Sequence, residues 1–167
     1  MKRVALFGSG GQLGVELRSE FSSRGYEVAC FARSTVDITD AAAVERSIAG
    51  CDPAVVINAA AYNQVDVAEK EPLAAFQVNA LAVRNLAVAC RNADAKLVHF
   101  STDYVFDGLA GRAYREEDPT RPLGAYAVSK LAANCTRRPT WTHRSSFARP
   151  AYSALGDWRP LGAISLS

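Results

Sequence analysis

Near its start the sequence reads Val4-Ala5-Leu6-Phe7-Gly8-Ser9-Gly10-Gly11-Gln12-Leu13-Gly14, a short apolar run followed by a glycine-rich turn. The apolar run predicts a buried strand, and Leu13, Leu17 and Phe21 then recur at helical spacing. Between a strand and a helix, the first glycine permits a tight turn. The second lets a pyrophosphate approach the backbone, and the third lets the helix pack on the strand. The pattern predicts a dinucleotide-binding site, against the alternative of a glycine-rich turn without a ligand.

Apolar runs alternate with helical patterns over the first 136 residues. The predicted strands are Val4–Phe7, Glu27–Phe31, Thr35–Ile38, Ala54–Asn58 and Lys96–Phe100. Helical patterns lie between them, and another begins near Tyr126. Buried strands that alternate with helices are typical of a parallel sheet joined by crossover connections. The predicted fold class is therefore α/β, a doubly wound parallel-sheet Rossmann fold that binds NAD(P), with its domain spanning residues 1–136.

The composition is that of an ordinary soluble globular protein of 167 residues, with 49% hydrophobic and 22% charged side chains. The net charge of +2 favours no particular class of partner, and we expect neither a nucleic acid polymer nor a membrane. No apolar run approaches the length of about 18 residues that a membrane span needs, and no secretory signal is evident. Four scattered cysteines predict buried thiols in a reducing cytoplasm, where we expect the protein to reside.

The charge changes sign near the end of the sequence. Residues 1–133 carry a net charge of −2, whereas residues 134–167 contain five arginines, no lysine and one acid. Both tryptophans lie in that last segment, and Pro139 interrupts the final helical pattern. This composition predicts an atypical, poorly ordered tail over residues 137–167.

Hydroxyl groups and a lysine supply the candidate chemistry. Thr102 follows the last predicted strand, at the carboxyl edge where ligands bind in parallel sheets. Tyr126 and Lys130 lie one helical turn apart, so that the ammonium can lower the pKa of the phenol from its usual value near 10. The hydroxyl can hold a carbonyl while the phenol protonates the developing alkoxide. Together with the glycine turn, Thr102, Tyr126 and Lys130 predict a hydride-transferring reductase. Tyr126 and Lys130 alone would suggest only a solvated pair of side chains on a helix.

The second strand is expected to end beside the adenosine ribose of the cofactor. An acid there suits NAD, and an arginine suits the 2′-phosphate of NADP. The sequence supplies Arg33 and no acid, which favours NADPH while leaving NADH and a solvated loop cation as alternatives. Asp37 and Ile38 are then candidates to lie over the adenine.

His99 lies in a predicted strand and is expected to be a core imidazole that hydrogen-bonds to a neighbour. No cluster of residues in the sequence has the spacing of metal ligands.

Several motifs resemble the extended short-chain dehydrogenase/reductase superfamily, and more closely its dTDP-4-dehydrorhamnose reductase family. The most specific is Ser101-Thr102-Asp103-Tyr104-Val105-Phe106-Asp107-Gly108. The others are Gly11-Gln12-Leu13-Gly14, the stretch Val56–Tyr62 followed by Val65, Asp66, Ala68 and Glu69, then Val78-Asn79, Tyr114 with Glu116, Pro122-Leu123, and Tyr126 with Lys130. The resemblance covers residues 1 to about 133.

The resemblance implies reduction of the 4-keto group of dTDP-6-deoxy-L-lyxo-4-hexulose to dTDP-L-rhamnose, usually with NADPH. Thr102, Tyr126 and Lys130 would be catalytic, with Asn79 supporting Lys130. The residues that the resemblance implies to line the cofactor are Gly8, Gly11, Gln12, Leu13, Asp37, Ile38, Ala59, Ala60 and Ala61. Arg33, Tyr126 and Lys130 are further candidates to contact it. Some relatives hold magnesium between subunits of a homodimer, and Glu16 matches one position of that site.

The sequence departs from the family after Ala133. Relatives continue with a longer helix, further strands and a sugar-nucleotide subdomain, most of which this chain is expected to lack. The arginine-rich tail resembles out-of-frame reading of GC-rich codons, which predicts a frameshift or a truncated gene and weak or absent activity. Two alternatives to a reductase stay open. One is a non-catalytic, NAD(P)-binding regulatory subunit like the β subunit of methionine adenosyltransferase, and the other is an inactive fragment.

Overall fold

A computed structural model describes residues 2–115 and 117–135, and the segment predicted to be a poorly ordered tail lies outside them. The strands are β1 (Arg3–Phe7), β2 (Glu27–Phe31), β3 (Val55–Asn58) and β4 (Lys96–His99). The helices are α1 (Gln12–Ser23), α2 (Ala41–Cys51), α3 (Val65–Ala68), α4 (Pro72–Phe76), α5 (Ala82–Asn92) and α6 (Ala125–Cys135). A π-helical segment, Gln77–Leu81, joins α4 to α5, and Asp103–Val105 form a 3₁₀ turn.

The strands form one parallel sheet in the order β2-β1-β3-β4. Leu6 of β1 lies between Cys30 of β2 and Ile57 of β3. The order reverses beside β1, because the chain moves outward to β2 and then returns across β1 to β3. In doubly wound sheets, ligands bind at the carboxyl edge beside such a reversal. The predicted α/β fold is confirmed.

Side chains of β1 alternate between two cores, which is why helices cover both faces of the sheet. Ala5 and Phe7 pack in one core with residues of α2 and α5, including Val44 and Leu86. Val4 and Leu6 pack in the other, against Leu17 and Phe21 of α1. Because a strand buried on both faces reads as a continuous apolar run, four consecutive apolar residues specify this central position.

The predicted third strand, Thr35–Ile38, is wrong: no strand occurs there. The amides of Thr35 and Val36 both donate to the carbonyl of Ala32, which turns the chain away from the sheet. The Asp37 carboxylate then accepts hydrogen bonds from the amide and hydroxyl of Thr39, at 2.9 and 2.8 Å. A side chain that bonds its own backbone in this way competes with strand pairing. The sheet described here therefore has β2 at its edge.

Two further expectations need correction. Residues 72–92 form a continuous 21-residue helix that is long and apolar enough to cross a membrane, although a core helix of a soluble protein meets the same criteria. Its buried positions include Val83 and Leu86, which are inaccessible to solvent in this fold.

The cysteines were predicted to be buried thiols. Of the three whose side chains are described, only Cys90 is buried, and burial raises its pKa to about 12.

Candidate functional site

The glycine turn lies between the ends of β2 and β3. The amides of Gly8 and Ser9 both donate to the carbonyl of Phe31, the last residue of β2. Gly8 has a φ of +77°, and a Cβ there would lie 2.7 Å from the carbonyl carbon of Ala59. The turn is therefore closely packed on both sides by backbone, which explains why it needs a residue without a side chain.

The three glycines of the motif have different surroundings. A Cβ on Gly14 would collide with the carbonyl oxygen of Gly8 and lie 2.8 Å from the Cα of Ser9. A Cβ on Gly11 would meet only that same oxygen, at 3.5 Å, which is an ordinary contact. Gly14 is thus required by helix packing, whereas the chain itself leaves space above Gly11. The exposed backbone of Gly11 at the start of α1 is where a pyrophosphate would approach.

Leu13 and Gln12 follow the turn at the exposed start of α1. Leu13 was expected on the core-facing stripe of that helix, but its side chain is 41% exposed, whereas Leu17 and Phe21 pack in the core. The expectation was wrong because the helix approaches the sheet through Gly14, which leaves its first turn outside the core. Leu13 is therefore accessible to a ligand bound over the turn.

Arg33 is exposed at the start of the loop that follows β2. This loop adjoins the glycine turn, since a Cβ on Gly10 would lie 3.8 Å from the Cβ of Ala32. Hydrogen bonds from Thr39 hold the pKa of the Asp37 carboxyl below its usual value, and Arg33 contributes in the same direction. Ile38 differs from expectation in that its side chain is buried in the core.

The segment after β3 forms the opposite wall of the glycine turn. The amide of Ala59 donates to the carbonyl of Phe7, and the amide of Ala60 donates to the side-chain oxygen of Asn58 at 3.0 Å. Asn58 is 1% exposed, and its Nδ2 lies 3.1 Å from Nδ1 of His99. His99 is thus partnered by a neighbour, as expected. Ala59, Ala60 and Ala61 lie partly exposed along this edge.

Thr102 and Tyr126 are brought together at the carboxyl end of β4. Burial raises the pKa of the Tyr126 phenol, while a hydrogen bond with the Thr102 side chain opposes that rise. Asp103 and Tyr104 raise this pKa further. The Tyr104 ring meets that of Tyr126 edge to face, with centroids 6.0 Å apart. The phenol is therefore protonated at neutral pH and lies beside a second hydroxyl, an arrangement suited to proton donation.

Lys130 does not act on the phenol as the spacing predicts. Its Nζ donates to the carbonyl oxygen of Phe100 at 2.7 Å, and the residue is 3% exposed. Burial lowers the pKa of this ammonium to about 8. The raised pKa of Tyr126 has burial as its main cause, and Lys130 is not among the groups that shift it. One helical turn places the two residues on one face, but the lysine side chain extends back to the sheet.

Asn79 lies in the π-helical segment and is 1% exposed. Its side chain accepts from the amide of Tyr62 at 2.8 Å and donates to the Tyr62 carbonyl at 3.1 Å. It also donates to the hydroxyl of Ser129 at 3.0 Å, and Ser129 in turn donates to the carbonyl of Tyr126 at 2.7 Å. Asn79 was expected to support Lys130, but it reaches α6 one residue earlier, at Ser129.

A groove of about 540 Å³ opens in front of Tyr126. Its lining includes the edge of α3, the start of α6 and the loop after the 3₁₀ turn: Val65, Glu69, Tyr104, Phe106, Tyr114 and Leu123. The loop wall is held by stacking of Phe106 on Tyr114, with centroids 4.2 Å apart. The Tyr114 hydroxyl also donates to Asp107 at 2.8 Å. The phenol therefore faces a space large enough for a small-molecule ligand.

Three residues of the site were not predicted to have a role. Tyr104 and Ser129 both occur inside quoted motifs, so that their positions were visible but their contacts were not. Glu69 directly follows α3 and is distant from α6 in the sequence. Its carboxylate nevertheless accepts a hydrogen bond from the amide of Ala125 at 2.7 Å. No local pattern in the sequence pairs residues 56 positions apart.

A metal site has no support among the described residues. Glu16 is exposed on α1, and no group of three or more potential ligands is found in the part of the chain that the structure describes. Glu16 alone does not make a magnesium site.

Residues 1–141 match the family described as RmlD substrate binding domain. The chain is 48% identical over 130 residues to the dTDP-4-dehydrorhamnose reductase of Streptomyces griseus, covering 78% of this chain and 43% of that protein. It is 47% identical over 135 residues to the corresponding Mycobacterium tuberculosis protein, covering 78% and 44%. The chain thus spans less than half the length of these curated relatives.

Solved structures give the same result for the fold. The dTDP-4-dehydrorhamnose reductase of Bacillus anthracis in complex with NADP superposes with a TM-score of 0.79 at 39% identity, covering 82% of this chain and 49% of that one. The UDP-glucose 4-epimerase of Thermus thermophilus in complex with NAD superposes with a TM-score of 0.73 at 32% identity, covering 80% and 49%.

Proposed function

The chain belongs to the RmlD substrate binding domain family, and from this we propose that it carries the cofactor-binding half and the catalytic side chains of a dTDP-4-dehydrorhamnose reductase. The proposed reaction is the NADPH-dependent reduction of the 4-keto group of dTDP-6-deoxy-L-lyxo-4-hexulose to dTDP-L-rhamnose. In that reaction a hydride is added to C4 and a proton to the carbonyl oxygen. Residues 1–136 form the cofactor-binding domain on this proposal.

The observation that carries the proposal is the Tyr126 phenol beside the Thr102 side chain at the carboxyl edge of β4. A carbonyl oxygen placed beside the phenol would accept its hydrogen bond as negative charge develops on it. It would accept a second from Thr102 if that hydroxyl turned away from the Asp103 carboxylate, to which it donates at 3.2 Å. Because burial raises the pKa of Tyr126, the phenol holds its proton at neutral pH and can donate it to the alkoxide. The arrangement therefore favours reduction of a ketone.

The glycine turn fits a dinucleotide, since the space above Gly11 is open. At Gly8 and Gly14, neighbouring backbone atoms occupy the space that a side chain would need. Gly11, Gln12 and Leu13 would hold the pyrophosphate at the start of α1. Arg33 would pair with the 2′-phosphate of NADPH, and Asp37 would lie near the adenosine. When bound, NADPH supplies the hydride. Ala59, Ala60 and Ala61 would line the path toward Tyr126.

Lys130 and Asn79 act on the position of the catalytic helix in this proposal. Lys130 joins α6 to Phe100 at the end of β4, and Asn79 joins it to Tyr62 through Ser129. Both side chains are buried, so their contacts would fix the Tyr126 phenol relative to the sheet edge. The buried Lys130 ammonium also places a positive charge at the carboxyl end of β4, which would stabilise developing negative charge on a substrate oxygen bound there.

The groove in front of Tyr126 is the proposed site for the keto sugar of the dTDP-linked substrate. Its aromatic and aliphatic walls, with Tyr104 and Leu123 exposed, suit a deoxysugar ring. The same groove adjoins Tyr126, so that a ligand there would lie within reach of the phenol. A dTDP-sugar is accordingly the proposed partner of the chain.

A direct test combines cofactor binding with single-turnover chemistry. Fluorescence titration should show NADPH binding that is tighter than NADH binding. Mixing excess protein and NADPH with dTDP-6-deoxy-L-lyxo-4-hexulose should consume the cofactor and yield dTDP-L-rhamnose by mass spectrometry. Cofactor binding with no product, at protein in excess over substrate, would contradict the catalytic proposal and would fit either a regulatory cofactor-binding subunit or an inactive fragment. Absence of cofactor binding would contradict both the catalytic and the regulatory function.

A further inference from the structure

The first turn of α6 is held by a carboxylate from another part of the fold. The Ala125 amide, the first of the helix, donates to Oε1 of Glu69 at 2.7 Å. The first hydrogen bond inside the helix runs from the Val128 amide to the Gly124 carbonyl, at 2.9 Å. The Ala125 amide therefore has no acceptor within its own helix. Glu69 supplies that acceptor and places a negative charge at the positive end of the helix.

Gly124 leaves the space that the Glu69 carboxylate occupies. A Cβ at this position would lie 2.6 Å from Oε1 of Glu69, closer than such contacts occur. The backbone of Gly124 does not have a positive φ, so a left-handed conformation is not the reason for a glycine here. Its lack of a side chain instead leaves room for the carboxylate to reach the helix. A methyl group at position 124 would therefore displace the Glu69 carboxylate.

Tyr126 follows Ala125 directly, so the point at which α6 begins sets the position of the phenol. Glu69 and Tyr126 line the same groove, together with Gly124. We infer that Glu69 is a positioning residue, which holds the start of α6 through Ala125 and thereby sets the Tyr126 phenol against Thr102. Its role in turnover rests on the proposed function, whereas its effect on the position of the phenol does not.

This inference differs from a general stabilising role in what it expects at Tyr126. Glu69 is exposed, so its truncation should leave the core packed and the protein folded. The start of α6 would lose its outside acceptor, and the Tyr126 ring would move relative to Tyr104 and Thr102. A merely structural contact would change the melting temperature without selectively changing the environment of this one ring.

The test uses four comparison variants and one assignment variant of the full chain, all labelled with ¹³C-tyrosine. Glu69→Ala removes the acceptor, Glu69→Gln keeps an oxygen acceptor without the charge, and Gly124→Ala displaces the carboxylate without altering it. Glu71→Ala is the matched control, because Glu71 is an exposed carboxylate two residues away with no side-chain bond to a helix. The Tyr126 ring signal is assigned among six tyrosines by its loss in Tyr126→Phe.

Glu69→Ala and Gly124→Ala should both move the Tyr126 signal, Glu69→Gln should return it most of the way, and Glu71→Ala should leave it unchanged. Where turnover is measurable, Glu69→Ala should lower kcat about tenfold with little change in NADPH affinity, since misplacing a reacting group mainly slows chemistry. A Tyr126 signal unchanged in Glu69→Ala and Gly124→Ala would overturn the inference. A Glu69→Gln variant that matches Glu69→Ala would also overturn it, because the hydrogen bond would then not be the cause. The ring signal needs neither cofactor nor substrate, so this result stands apart from the test of the proposed function.

Discussion

The Nζ of Lys130 donates a 2.7 Å hydrogen bond to the carbonyl oxygen of Phe100, and this contact joins helix α6 to the residue that follows strand β4. Phe100 itself packs against the core formed with Val4, Leu6 and Ile57. The contact therefore connects helix α6, which carries Tyr126, to the centre of the sheet. Lys130, which carries the ammonium, is 3% exposed.

We expect the burial of Lys130 to make the free energy of unfolding depend on pH in the alkaline range. Burial lowers the pKa of Lys130 to about 8 in the folded protein, from its ordinary value of 10.5. Between these values the unfolded chain binds more protons, so the free energy of unfolding should rise with pH. The cost of the buried charge is fully present below about pH 8 and is relieved by about pH 10.5. The shift corresponds to on the order of 3 kcal/mol.

The measurement is urea unfolding of the parent and of Lys130→Met from pH 7 to pH 10.5. The difference in unfolding free energy between the two isolates the titration of Lys130, because the other titrating groups are common to both proteins. The parent should gain stability relative to Lys130→Met across this range. A difference that stays constant with pH would show that Lys130 is solvated in the folded protein.

Replacing the phenol should remove proton donation while leaving the cofactor site intact. Tyr126→Phe keeps the ring beside Tyr104 but loses the hydroxyl that meets Thr102. Loss of an acid catalyst typically lowers the rate by about 10²–10⁴-fold. Single-turnover NADPH oxidation should fall by that factor, with NADPH affinity nearly unchanged. Tyr26→Phe is the control, since Tyr26 packs on Phe21 away from the site. Parental turnover in Tyr126→Phe would refute the assignment.

Arg33→Ala should weaken NADPH binding more than NADH binding, because only NADPH carries the 2′-phosphate that a guanidinium pairs with. Arg33 is exposed beside the glycine turn, so its removal should not disturb the core. Arg91→Ala is a matched control, since this exposed arginine ends α5 and precedes β4 at the opposite edge of the sheet. Fluorescence titrations with both cofactors give the comparison. An equal loss for NADPH and NADH would count against a role for Arg33 in selecting the cofactor.

The sequence predicts the sheet well because buried parallel strands have an unmistakable pattern. Val4–Phe7 is apolar at every position, and the glycines that follow lie where the backbone needs them. Thr35–Ile38 has the same β-branched character, yet Asp37 bonds to Thr39 instead, a local competition that residue preferences do not reveal. The strand prediction therefore fails where a side chain offers the backbone an alternative partner.

The site is predictable by residue type and less so by contact. Tyr126 and Thr102 meet as expected because both lie at the carboxyl edge of the sheet. The target of Lys130 could not be predicted, since helical spacing fixes where its Cα lies but not where four methylenes extend. Asn79 depends in the same way on the π-helical segment, which rotates residues relative to a regular helix. Contacts between distant segments, such as Glu69 with Ala125, leave no periodic signal at all.

The glycines of the first turn should separate into those required by the fold and one required by the ligand. Gly14→Ala should destabilise the protein by about 1–3 kcal/mol or more, because its methyl would overlap the backbone of Gly8 and Ser9. Gly11→Ala should fold with nearly parental stability, since Gly11 has a φ of −80° and its methyl would meet one atom at 3.5 Å. Gly50→Ala, in open space on α2, should gain roughly 0.5–1 kcal/mol.

Cofactor binding should follow a different order from stability in these variants. Gly11→Ala should bind NADPH much more weakly than the parent, because its methyl would occupy the position from which the pyrophosphate approaches the backbone. Gly50→Ala should bind NADPH as the parent does, which shows that an added methyl as such is harmless. Urea unfolding and fluorescence titration on the same samples measure the two properties separately. If Gly11→Ala kept both its stability and its NADPH affinity, the open space above Gly11 would not be the pyrophosphate site, and the glycine turn would serve only to join β1 to α1.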